Sequence, residues 1–233
     1  MKHKLLLICF LFTAQLIFSQ SIIFRSGLQQ EIYDIPLNNY VSHYKTFTKP
    51  PFDILVSFSI TERIDFLTGI KYIPYDSRIK IRPPESEFFS GYIIMLHGST
   101  GIPLLITTSL PLKNDKLDFY LSTGLVPVYM TYGPFNSQIK FANGNYELTE
   151  THFHPKDRFN VLINSGIGLR YKLKHFAVGI VGEYYAGINR IYSSVIVMEH
   201  ANPFEQTYDY QLSGKGDYWG LNLEFIYTLI KKK

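Results

Sequence analysis

Near the C-terminus of the chain, apolar and polar positions alternate with a period of two. Over residues 217–230, Trp219, Leu221, Leu223, Phe225, Tyr227 and Leu229 share one face, while Tyr218, Gly220, Asn222, Glu224, Ile226 and Thr228 share the other. Residues 159–171 repeat the pattern: Phe159, Val161, Ile163, Ile167 and Leu169 stand against Asn160, Asn164, Gly166, Gly168 and Arg170. Side chains of a strand point alternately to its two faces, so each segment reads as a strand with one apolar and one polar side. Helical periodicity is absent. The same reading predicts strands at 22–33, 52–60, 64–73, 92–110, 117–130, 159–171, 176–189 and 217–230. Their connections alternate in length. Short links at 61–63, 111–116 and 172–175 are interleaved with long ones at 34–51, 74–91, 131–158 and 190–216. Tight turns on one side and large loops on the other are the pattern of an all-β, eight-stranded antiparallel up-and-down transmembrane barrel. An even strand number puts both termini on the short-turn side, expected to be the periplasm.

A soluble barrel alternates too, with its apolar face inward. Two features favour an outward apolar face here. The polar face carries Arg25, Glu31, Asp53, Asp65, Lys71, Asp118, Arg170, Glu183 and Glu224, together with many of the glycines, whereas the apolar face carries no charge in the chosen registers. A charge facing mid-bilayer lipid costs about 2–4 kcal/mol, but charges in a lumen can pair. The aromatics of the apolar face also fall into two groups. Phe24, Phe58, Phe66, Phe119, Tyr171, Phe176 and Tyr227 lie near the short turns; Phe52, Tyr72, Tyr92, Tyr129, Phe159, Tyr184 and Trp219 lie near the long loops. Aliphatics, including Ile54, Val56, Leu121, Ile163, Val178, Ile180, Leu221 and Leu223, fill the band between them. Strand propensity accounts for the number of aromatics, but two girdles around an aliphatic band are the mark of a membrane barrel.

Composition adds three points. Aromatics reach 16% and charged residues only 18%, and 233 residues suit one mid-sized domain. The first twenty residues (Lys2 and Lys4, an apolar run from Leu5 to Phe12, then a mixed stretch ending in Ser19-Gln20) read as an export signal, leaving 21–233 as the barrel domain. That segment holds two lysines and no acid, so the formal charge of +4 falls to 4 − 2 = +2 without it, and no argument for nucleic acid remains. The only cysteine, Cys9, lies in the same segment, which leaves no disulfide or thiolate chemistry to the barrel.

Three short motifs carry a resemblance: 101–106 (Gly-Ile-Pro-Leu-Leu-Ile), 120–125 (Tyr-Leu-Ser-Thr-Gly-Leu) and 166–171 (Gly-Ile-Gly-Leu-Arg-Tyr). With the export signal, they make the chain resemble the PorT-like outer-membrane β-barrel family typical of Bacteroidota. The resemblance implies an integral barrel of the cell outer membrane, usually without an assigned activity, and fixes no functional residues. The final Lys231, Lys232 and Lys233 depart from the aromatic ending usual in such barrels.

Candidate chemistry is sparse. His152 and His154, with Glu150 and Asp157 nearby, offer too few ligands in a polar loop for a metal site. Glu199-His200 faintly resembles the motif of barrel lipid A deacylases, but no serine follows His200 at close spacing. No catalytic, cofactor or metal site is therefore expected. The lumen charges read as an ion-pair network, with Arg25, Lys71 and Arg170 pairing with the six acids. The expected role is structural or interactive, through loops 131–158 and 190–216, with outer-membrane lipid and other envelope proteins as partners. A lipid-modifying enzyme and a narrow passive pore are the alternatives.

Overall fold

In the computed structural model the described residues are 21–34, 41–44, 50–81, 91–112, 116–132, 146–155, 158–190, 192–200 and 208–229. The export-signal reading of 1–20 and the lysines 231–233 lie outside them. The strands are β1 (Ser21–Asp34), β2 (Val41–Tyr44), β3 (Phe52–Ser59), β4 (Ile64–Ile81), β5 (Gly91–Gly101), β6 (Leu104–Pro111), β7 (Leu117–Tyr132), β8 (Tyr146–Pro155), β9 (Phe159–Lys172), β10 (Phe176–Gly187), β11 (Tyr192–His200) and β12 (Tyr208–Thr228). All pairings are antiparallel.

The wall runs β1-β3-β4-β5/β6-β7-β9-β10-β12 and closes by pairing β12 with β1, from Ser21↔Thr228 to Ile32↔Asp217. β5 and β6 form one wall strand. Gly101 pairs with Lys71 and Val128, and Leu104 pairs with Thr68 and Leu125, so three residues match three on both sides and the register does not slip across Ile102-Pro103. The protein is thus a closed eight-stranded antiparallel barrel, as the alternation of link lengths predicts. At the short turns Ile60 N donates to Ile64 O (2.8 Å), Leu112 N to Leu117 O (2.7 Å) and Leu173 N to Phe176 O (2.7 Å). Ser21 and Thr228 lie on that same rim.

The apolar face points outward. Leu223 is 68% exposed, and Phe24, Leu28, Ile163, Ile167, Ile180, Leu221 and Phe225 are also exposed. Leu55, Leu67, Leu105 and Val181 fill the interior together with the charges. Val56 stands in the outer band yet is buried, between Ile22 and Thr68 in register. Gly69 (155°) and Gly124 (159°) are among the glycines with positive φ. A Cβ at either would run into a carbonyl oxygen of the adjacent strand, Ile54 O or Leu104 O. Gly124→Ala is expected to cost more than about 1 kcal/mol, read as a lowered midpoint in denaturant unfolding.

Above the long-loop rim the structure corrects the sequence reading. The segments 34–51, 74–91, 131–158 and 190–216 are not simple loops. β4 continues to Ile81 and pairs with β5 and β2, while β12 begins at Tyr208 and pairs with β11, which in turn pairs with β8. Two three-stranded blades, β2-β4-β5 and β8-β11-β12, therefore rise beyond the barrel wall. The alternation that revealed the wall strands needs one face in lipid or core. Beyond the rim β4 opens on Asp76-Ser77-Arg78, three polar residues with no apolar position among them, which interrupts the pattern.

Candidate functional site

The barrel interior is the candidate site, and strand register builds it. Arg25 on β1 stands level with Asp53 on β3 and Glu224 on β12; Asp53 stands level with Lys71 on β4. Arg25 Nε donates to Glu224 Oε1 (2.6 Å) and its Nη1 to Glu183 Oε1 (2.9 Å). Arg170 Nε donates to Glu224 Oε2 (3.0 Å), so Glu224 bridges two guanidinium groups. Lys71 Nζ donates to both Asp53 oxygens, at 3.0 and 2.9 Å, and lies 3.9 Å from Glu183 Oε2. Asn222 Nδ2 donates to that same Glu183 oxygen (2.9 Å). Three bases and three acids thus balance in one buried cluster.

The remaining predicted lumen residues lie outside this cluster. Asp118 is level with Arg170 but pairs with Lys172, 2.5 Å away near the short-turn rim, where the lysine side chain is half exposed. Asp65 accepts a hydrogen bond from Ser59 Oγ at the same rim. Glu31 is buried toward the long-loop end of β1. The six acids are therefore distributed along the barrel, three in the balanced cluster and three elsewhere.

Three tyrosines complete the filling, and the sequence reading did not single them out. Tyr120, Tyr185 and Tyr218 are at most 2% exposed. The Arg170 guanidinium lies 3.7 Å above the Tyr120 ring, and Lys71 Nζ lies 4.7 Å from the Tyr185 ring. Tyr185 and Tyr218, level on β10 and β12, stack at 4.4 Å. Tyr120 fits because its register partner is Gly168, where a Cβ would strike the ring. The period-two pattern already held the signal, since Tyr120 stands between the inward Asp118 and Ser122. Nearer the long-loop rim, Asn160 Nδ2 donates to Lys215 O (2.7 Å) and Asp217 accepts from Gly187 N (2.6 Å), tying β9, β10 and β12 together. The cross-section is occupied by side chains, as expected at this strand number.

On the outer wall, the aromatics expected near the short turns include Phe176 and Tyr227, whose rings are 5.3 Å apart, and Phe58 and Phe66 at 6.4 Å. Phe24 and Tyr171 are exposed, while Phe119 is intermediate. Near the opposite rim, Phe52 and Tyr72 lie 5.5 Å apart, and Tyr129, Phe159, Tyr184 and Trp219 are exposed. The side chain of Tyr92 lies outside the described residues. So do those of Glu150, His152, His154, Asp157 and His200, which leaves the metal and deacylase motifs without a described geometry. Among the described residues no three His, Cys, Asp or Glu groups come together to hold a metal.

Closed wall, outward aliphatic belt and packed charged interior define the class: the chain has the fold of the eight-stranded outer-membrane barrels. Among solved structures it is similar to the outer membrane protein OprG from Pseudomonas aeruginosa, with a TM-score of 0.52, 9% identity, and coverage of 91% of this chain and 97% of that one. Weaker likenesses are the N-terminal barrel domain of OprF from the same organism (TM-score 0.41, 10% identity, 90% and 97% covered) and AlkL in lipid bilayers (0.41, 14%, 92% and 93%). No family model and no curated protein matches the chain.

Proposed function

We propose that the protein is an integral barrel of the outer membrane, with both termini in the periplasm. In this reading it is neither an enzyme nor a pore. It acts as a sealed platform that presents its two strand blades outside the cell to other envelope proteins, with membrane lipid around its belt. The observation that carries the reading is the lumen itself, where Arg25, Lys71, Arg170, Asp53, Glu183 and Glu224 pair across the barrel axis and buried tyrosines pack against them. Separating a buried ion pair leaves a charge without water or partner, so the packing resists opening.

The experiment is conductance in planar bilayers. Purified, heat-modifiable protein is expected to leave the membrane resistance unchanged. Discrete open channels that survive in the unmutated protein would overturn the sealed lumen. For the blades, replacing 192–214 with a short turn is expected to keep the faster-migrating unboiled band while abolishing cross-linking to envelope partners in intact cells. Retained cross-linking would remove the blade from the proposal.

A further inference from the structure

At the long-loop rim, three segments are tied into one knot. β12 carries a bulge there: Ile32 of β1 pairs with Asp217 and Asp34 with Ser213, so β1 advances two residues while β12 advances four. Gly216, with φ of 79°, supplies the left-handed backbone of that bulge. The Lys215 carbonyl meets Asn160 of β9, whose Nδ2 donates to it (2.7 Å) and to Asn189 O (3.3 Å). Asn160 Oδ1 in turn accepts from Asn189 N (2.9 Å). Asn160 is fully buried, so this one side chain fixes 158–160, 187–190 and 214–217 against each other.

Each of these segments carries an exposed base: Arg158, Arg190 and Lys215. Arg158 is held on the outer face of the wall, where its Nη1 donates to the hydroxyl of the outward Tyr129 (3.3 Å). The aromatics of the long-loop girdle lie alongside, Tyr129 level with Phe159 and Tyr184 level with Trp219. Such rings favour the head-group level of a bilayer. The only acid in the three segments is Asp217, which accepts from Gly187 N (2.6 Å). Three bases against one acid leave a charge of 3 − 1 = +2, and in the adjoining sequence Lys156 and Asp157 cancel. A phosphate monoester carries about −1.5 to −2 near neutral pH, and a guanidinium meets its oxygens with paired donors.

We propose that Arg158, Arg190 and Lys215 form a binding site for a lipid phosphomonoester of the outer leaflet. The phosphate sits on the three bases, and the acyl chains descend past Phe159, Tyr184 and Trp219. This rests on the reading of the barrel as membrane-embedded with its long-loop rim outside. Neither the sealed lumen nor the blades take part.

The chain carries one tryptophan, Trp219, which faces outward on the same strand as Lys215, so its fluorescence reports on the site. Protein in phosphatidylcholine vesicles is titrated with chain-brominated phosphatidic acid, a lipid phosphomonoester whose bromines quench tryptophan on contact. Saturable quenching above that of brominated phosphatidylcholine at the same mole fraction is expected. Arg158→Gln and Lys215→Gln should each weaken this preference about fivefold, the weight of one base near an anionic surface. Lys174→Gln, in the turn at the opposite rim, should leave it unchanged. Brominated phosphatidylglycerol, a diester with a single charge, should be preferred less than phosphatidic acid. Inserted, heat-modifiable protein without a preference overturns the site alone. So does a preference that both Arg158→Gln and Lys215→Gln leave intact, or one that Lys174→Gln lowers equally, which would be attraction to net charge. Equal preference for the diester overturns the phosphomonoester as ligand. Protein that does not enter the vesicles overturns the membrane reading and the site with it.

Discussion

Glu224→Leu is expected to be the most damaging single substitution in the barrel interior, costing about 3–5 kcal/mol. Glu224 accepts from Arg25 at 2.6 Å and from Arg170 at 3.0 Å, and its side chain is fully buried. Leucine of similar volume would leave Arg170 without its acidic partner and Arg25 with Glu183 alone. A guanidinium stripped of water and of its counter-charge is worth far more than the pair that held it. Glu224→Gln keeps the shape and one acceptor, so it should fall between leucine and the parent. The measurement is urea unfolding in lipid or detergent, followed by the loss of the faster-migrating unboiled band. A leucine variant as stable as the parent would mean that water or a shifted side chain satisfies both arginines, and that the cluster is not the keystone of the lumen.

Leu223→Arg, one residue away and on the opposite face, is expected to destabilise the barrel by about 2–4 kcal/mol in a bilayer. The argument runs against ordinary surface intuition. Leu223 is 68% exposed, the kind of position at which a water-facing protein absorbs a charge with an effect within about 0.5 kcal/mol. The two solvents therefore predict outcomes several kcal/mol apart for the same residue. Unfolding in vesicles decides between them, and a neutral Leu223→Arg would place the belt in water.

The wall was legible in the sequence because its strands separate two different environments. In β12, Trp219, Leu221 and Leu223 face outward while Gly220, Asn222 and Glu224 face inward, and this contrast is written residue by residue. The blades read as loops in the sequence because their alternation is short: Ile79 and Ile81 flank Lys80 in β4, and Tyr208, Tyr210 and Leu212 alternate with Asp209, Gln211 and Ser213 in β12. The lumen charges could be named from their face, but their partners could not. Asp118 stands level with Arg170 yet joins Lys172, a choice made by side-chain reach rather than by register.

The seam between β1 and β12 joins the first described strand to the last, and Arg25 meets Glu224 across it, 199 residues apart. Until the final strand is in place, β1 presents a bare edge toward β12, and β10 presents another. Closure is then the contact of longest sequence separation and the slowest to form. During assembly, a chain lacking β12 would expose two unpaired edges to its neighbours, the usual route to edge-to-edge aggregation. The last twenty or so residues therefore decide whether every earlier strand ends in a barrel or in a deposit, and the ion pair at the seam forms only when the ring is complete.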